Sequence, residues 1–137
     1  VIIVDTGFWI ALGATADEYH KQARKLVAEL NEGLITTWPV LTETCHILLK
    51  RSGSKAVSYF MESIEDGAAE IFLMESTHLK RINTLIEKYS GLPMDLADAS
   101  LVLLAEELGD GRILTTDKRD FNTYRWKNRK PFVNLFC

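Results

Sequence analysis

Cysteine is nearly absent from these 137 residues: only Cys45 and Cys137 occur, with no Cys-x-x-Cys or His-rich spacing. That excludes a disulfide framework and argues against a structural zinc site. Cys45 sits among helical apolar positions and is expected to be a small buried residue. No apolar run is long enough to span a bilayer, and no signal-peptide pattern opens the chain. A cytoplasmic protein with no membrane association is therefore expected. The chain begins with Val rather than Met, which gives the expectation that it starts just after the initiator. Charge of one sign is also missing: the formal net charge of −3 carries no global nucleic-acid signal.

What is present describes an ordinary globular chain, 47% hydrophobic and 26% charged, which argues against disorder. A length of 137 residues fits a single domain, 1–137, able to bury about two thirds of the surface its unfolded chain exposes. Strand-like and helix-like stretches alternate, which points to an α/β domain with a parallel sheet. Strands are expected at 1–5, 34–37, 70–74 and 112–116, with a last one in the tail at 131–135. Helices are expected at 8–12, 17–31, from Pro39 to about Lys50, at 54–65, at 77–89 and at 95–108. Charge is local rather than global, for Lys118, Arg119, Arg125, Lys127, Arg129 and Lys130 crowd one stretch. It is either a solvated surface or an electrostatic contact for a phosphate backbone.

Two apolar runs end in an acid, Val-Ile-Ile-Val-Asp at 1–5 and Arg-Ile-Leu-Thr-Thr-Asp at 112–117. In an open parallel sheet ligands bind beyond the carboxyl ends of the strands, so Asp5 and Asp117 belong at that edge. Asp5 is alternatively an N-cap for the helix that follows. Glu43 lies early in a Pro-initiated helix, at the margin of its apolar arc; a solvent-edge Glu paired with His46 is the plainer reading. Asp98 shares a helical face with Leu101, Val102 and Ala105, where a carboxylate is costly unless paired or metal-bound. Asp95 falls toward the polar margin and is the better N-cap. Asp120, three residues past Asp117, is expected to be structural or supporting.

Two carboxylates about 4 Å apart repel by roughly 4 kcal/mol at an effective dielectric near 20. A cluster of four needs cations or shared protons, and oxygen ligands suit hard divalent ions. Mg²⁺ or Mn²⁺ held this way polarises a phosphoryl oxygen and activates water, so the acids predict a metal-dependent phosphodiester enzyme. A phosphoaspartyl module with Asp5 as acceptor fits poorly. The phosphatase form needs an acid two residues on, where Gly7 stands, and the receiver form needs paired acids near the first strand. A third reading is a non-catalytic interaction module whose acids only cap helices.

Val-Asp-Thr-Gly at 4–7, Val-Leu-Thr-Glu at 40–43, Leu-Pro-Met-Asp-Leu-Ala-Asp-Ala-Ser at 92–100 and Leu-Thr-Thr-Asp-Lys-Arg-Asp-Phe at 114–121 resemble the PIN-domain ribonucleases. The likeness is strongest to the VapC-like toxins of toxin–antitoxin pairs, and it covers essentially the whole chain. It implies a three-layer α/β/α sandwich with a mainly parallel sheet and metal-dependent endoribonuclease activity. Acid roles carry over to Asp5, Glu43, Asp98 and Asp117. Metal ligation by Mg²⁺ or Mn²⁺ falls to Asp5, Asp98 and Asp117, with Glu43 and Asp95 as further candidates. Thr6 and Thr116 match the accompanying hydroxyl positions, and Asp120 supports them. Lys118, Arg119, Arg125 and Lys127 are the RNA-binding candidates. The resemblance further implies an RNA substrate, a small antitoxin partner and a homodimer; a PIN nuclease of RNA processing outside such pairs is the alternative.

Overall fold

A strand buried on both faces belongs at the centre of a parallel sheet, and Ile2, Ile3 and Val4 are all buried. In the computed structural model, which describes residues 1–136, the chain opens with β1 (Ile2–Val4), α1 (Thr6–Gly13), α2 (His20–Glu29), β2 (Leu34–Thr37), α3 (Trp38–Ser52), α4 (Ser54–Glu65) and β3 (Glu70–Phe72). A single 3-10 turn at Ser76–His78 leads into α5 (Leu79–Lys88), followed by α6 (Leu96–Leu108) and β4 (Arg112–Leu114). The end of the chain holds α7 (Lys118–Thr123), β5 (Arg125–Trp126), β6 (Lys130–Pro131) and β7 (Val133–Asn134). Five strands form one sheet in the order β3-β2-β1-β4-β7, with every pairing parallel. Strands β5 and β6 form a separate antiparallel hairpin.

Register places the acids. Ile3 pairs with both Ile35 and Ile113, and Val4 with Leu114. The two central strands therefore end side by side, and the Asp5 amide donates to the Leu114 carbonyl at 3.0 Å. Helix α6 packs on β1 and β2 and against α3 and α5. Its residues Ala97 and Ala99 through Ala105 are buried, around more than one face. That explains why its sequence is apolar nearly all round.

Several boundaries differ from the expectations. Helix α2 begins at His20 rather than residue 17, because the Asp17 carboxylate accepts from the Tyr19 amide at 3.0 Å and folds the approach into a turn. The strand expected at 112–116 stops at Leu114, since Thr115 and Asp117 turn into the site. The basic stretch becomes α7 and the hairpin. Cys45, expected to be buried, is half-buried, with Sγ 3.8 Å from Met61 Sδ; Cys137 lies outside the described residues. Among the described residues, no helix is long and apolar enough to cross a membrane.

Candidate active site

Asp5 leaves β1 in extended backbone, caps α1 by accepting from the Thr6 amide at 2.7 Å, and is 6% exposed. Its other oxygen accepts from the Thr115 hydroxyl at 2.8 Å. Thr115 in turn accepts from the Asp117 amide at 2.9 Å, so one side chain ties the first acid to the loop carrying the last. The capping and functional readings of Asp5 are thus compatible: one carboxylate oxygen caps while the group faces the cleft.

That cleft, about 370 Å³, is lined by Asp5, Glu43, Asp95, Asp98 and Asp117, together with Thr6 and Thr116. Gly7 also lines it, for a steric reason. A Cβ there would lie 2.0 Å from Thr116 Oγ1, so only glycine lets α1 and the loop after β4 approach so closely. Glu43 reaches the cleft because Thr37 caps α3 and Pro39 stands in its first turn. Asp95 caps α6 by accepting from the Asp98 amide at 2.9 Å, as the sequence suggested, yet it also lines the cleft. Asp98 is fixed from behind by Tyr124, whose hydroxyl donates to Oδ2 at 3.1 Å. Tyr124 is itself locked edge-on against Tyr89 and Phe121.

Electrostatics follow from crowding and burial. Burial raises the Asp5 carboxyl to about 6 against the hydrogen bonds from Thr115 and Thr6. Asp98 is raised to about 8, by burial first and then by the charges of Asp95 and Asp5. Glu43 and Asp117 are also raised, each chiefly by burial, with Asp95 and Asp5 adding to the first and Asp120 to the second. The acids therefore hold protons more tightly than free carboxylates do, the condition that a cation relieves.

The donors are all oxygens, which suits a hard divalent ion and not a soft one. Thr6 adds a buried hydroxyl oxygen with no hydrogen-bond partner among the described residues. On those grounds the residues fit Mg²⁺ or Mn²⁺. The coordination shell is not drawn tight, however. Among the described residues, no three His, Cys, Asp or Glu side chains converge closely enough to hold a metal ion as they stand.

Not every candidate reaches the cleft. Asp120 is buried beside it, receives Arg119 Nε at 3.1 Å and donates its amide to Asp117, a supporting position. Arg125 donates to the carbonyls of Asn122, Thr123 and Tyr124, so its guanidinium closes the end of α7. Lys118, Arg119 and Lys127 are exposed and lie outside the cleft lining; the Lys127 ammonium sits 5.8 Å over the Trp126 ring. Sequence reasoning missed Thr115, which stands one place before the preferred Thr116, and Tyr124, whose distance in sequence from Asp98 gives no local cue.

The PIN domain family model matches residues 2–127. Over 124 residues the chain is 24% identical to Ribonuclease VapC26 of Mycobacterium tuberculosis, covering 90% of this chain and 92% of that protein. A 56-residue stretch is 41% identical to the 23S rRNA-specific endonuclease VapC20 of the same organism, spanning 41% of this chain and 43% of that one. The crystal structure of M. tuberculosis VapC20, described as a sarcin-ricin loop cleaving toxin, superposes with a TM-score of 0.80. That superposition covers 87% of this chain and 92% of the other at 22% identity, and it speaks for the fold. With the family match running from β1 through β5, the chain belongs to the PIN-domain family.

Proposed function

We propose that this chain is a Mg²⁺- or Mn²⁺-dependent endoribonuclease that hydrolyses RNA phosphodiester bonds, and that it is the toxin of a toxin–antitoxin pair. The observation that carries the reading is the cleft itself. Five carboxylates of two strand ends and two helix starts face one space, and the four most enclosed hold their protons above the usual range. Similarity to VapC26 and VapC20 supports RNA as the substrate class.

Asp5, Asp98 and Asp117 would hold the ion, with Glu43 and Asp95 as further donors. When bound, it supplies positive charge to a phosphoryl oxygen and makes water a stronger acid. Glu43, half-buried and raised above the ordinary carboxylate range, is suited to take a proton from the attacking water. Thr115 and Tyr124 keep Asp5 and Asp98 aimed at the cleft. Water attacks the phosphorus directly as the P–O bond to the leaving ribose oxygen breaks, that oxygen takes up a proton, and no covalent link to the protein forms.

Purified protein should cleave single-stranded or looped RNA with Mn²⁺ and lose that activity in EDTA. Asp5→Asn, which keeps volume and deletes a charge, should remove most cleavage. Undiminished cutting in EDTA or by that variant overturns the metal mechanism. Regulation follows from the cleft's sign: a small antitoxin would insert a basic residue near Asp5 and Asp98, where a guanidinium meets carboxylates bidentately. Expression alone should slow growth and the antitoxin should restore it; harmless expression of an active enzyme favours a PIN nuclease of RNA processing.

A further inference from the structure

Beyond the five carboxylates, the cleft is walled by two more acids, Asp17 and Glu18, and among its described lining residues there is one cation, Arg51. A polyanion drawn into such a space is repelled wherever no cation covers a phosphate. Arg51 stands in the last turn of α3. Glu43, Ile47 and Arg51 recur at every fourth residue, share one face of that helix, and all line the cleft. At a rise of 1.5 Å per residue, the Glu43 and Arg51 backbones are about 12 Å apart along the axis, so Arg51 stands toward the far, C-terminal end of α3 from the Glu43 carboxylate.

The Arg51 side chain is 61% exposed and held by a loose ion pair, Nη1 lying 3.7 Å from Asp17 Oδ1. That is beyond hydrogen-bond range, so the guanidinium donors are not consumed. Asp17 is the fixed member: it is 15% exposed, and its other oxygen is engaged by the Tyr19 amide. The pair therefore steers a cation over the cleft while leaving its planar fork open to two oxygens of a phosphate.

We propose that Arg51 forms a phosphate subsite for the RNA strand, holding a backbone phosphate other than the one that is cut. The proposal rests on the nuclease reading above and names where the substrate runs: from the carboxylates along α3 toward its C-terminal end. It differs from the basic stretch after Asp117, which lies outside the cleft.

The test measures binding apart from cleavage. A fluorescent single-stranded RNA is titrated into Asp5→Asn protein in Mn²⁺ buffer, with Arg51→Ala or Lys50→Ala added. Lys50 is an exposed neighbour that does not line the cleft, so its loss is a charge-matched control. Arg51→Ala should weaken binding about tenfold and flatten the slope of log affinity against log salt by about 0.7. Lys50→Ala should do neither, and Arg51→Lys should fall between. Neutral methylphosphonates placed one at a time along the RNA should weaken the Arg51 protein at one phosphate besides the cut site, where Arg51→Ala is indifferent. In the cleaving enzyme the same change should raise KM and leave kcat nearly unaltered. If Asp5→Asn protein binds RNA and Arg51→Ala is no worse than Lys50→Ala, the subsite is wrong while the nuclease reading stands. If wild-type protein neither binds nor cuts RNA, the nuclease reading fails first. A folding defect is recognised by comparing melting curves, and Arg51→Lys, which keeps the helix-end charge, then carries the binding test.

Discussion

The Thr115 hydroxyl donates to Asp5 Oδ2 at 2.8 Å while accepting from the Asp117 amide at 2.9 Å. One oxygen atom thus joins the end of β1 to the loop after β4, and the relative position of the first and last acids depends on it. Hydrogen bonds to charged groups contribute roughly 1.5–3 kcal/mol each.

Thr115→Val keeps the shape and removes the hydroxyl. Cleavage should fall by about ten- to a hundredfold, and Mn²⁺ affinity, read by calorimetry, should fall with it. Thr115→Ser should recover most of both. Equal losses in the Ser and Val variants would mean that the methyl group's packing, not the hydrogen bond, matters.

Asp98 should cost the metal-free protein stability at neutral pH. Its folded carboxyl titrates at about 8 rather than the usual 3.8. The native state therefore keeps a proton that the unfolded chain has lost, and stability falls as pH rises through that window. Asp98→Asn removes this carboxyl's share of the dependence, while Asp5, Glu43 and Asp117, raised in the same direction, keep theirs. In EDTA the variant should melt higher than wild type at pH 8, by roughly 3–5 °C for each kcal/mol relieved in a chain of this size, and nearly together with it at pH 4. Added Mn²⁺ should reverse the order, since only the wild type gains the ligand. Asp95→Asn, which retains a capping side chain, should lose less Mn²⁺ affinity.

Gly7→Ala tests the close approach of α1 to the loop after β4. The new methyl group meets the Thr116 side-chain oxygen at 2.0 Å, so that side chain must rotate or the loop carrying it must shift. Overpacking of this kind costs typically about 1–3 kcal/mol. Thermal melting should show that loss together with a fall in cleavage. Gly7→Ala combined with Thr116→Ala should recover part of the stability, because the clash is with that side chain.

Within the basic stretch, Arg125 and the exposed cations should behave differently. Arg125→Ala frees three carbonyls at the end of α7 and should lower the melting temperature. Lys118→Ala should leave stability within about 0.5 kcal/mol, whereas Arg119→Ala also strips the buried Asp120 carboxylate of its ion pair and should cost more. If these two contact phosphates, the double change weakens binding across unrelated RNAs and reduces its salt dependence. Unchanged affinity at low salt would make them solvated surface.

Much of the site was already legible in the chain. Local rules suffice to put Asp5 directly after β1, because a buried apolar run must end where the sheet ends and the next polar residue stands at its edge; after β4 that residue is Thr115, and Asp117 follows two places on. For α6, periodicity puts Asp98 on the face of the buried Leu101, Val102 and Ala105 and makes Asp95 the cap, which it is, although Asp95 lines the cleft as well. What local rules could not supply were contacts across distance. Thr115 and Thr116 are neighbours of like chemistry, and only the pairing of β4 beside β1 decides which hydroxyl meets Asp5. Tyr124 lies 26 residues from Asp98, and Arg51 is separated by 34 from Asp17; nothing in their spacing announces either pair. Hydrophobic patterning and strand ends act along the chain and determined the fold class and the placing of Asp5 and Asp98, while Glu43 stood out only by family resemblance. The partners that aim those acids meet only through packing, so the tertiary structure alone decided them.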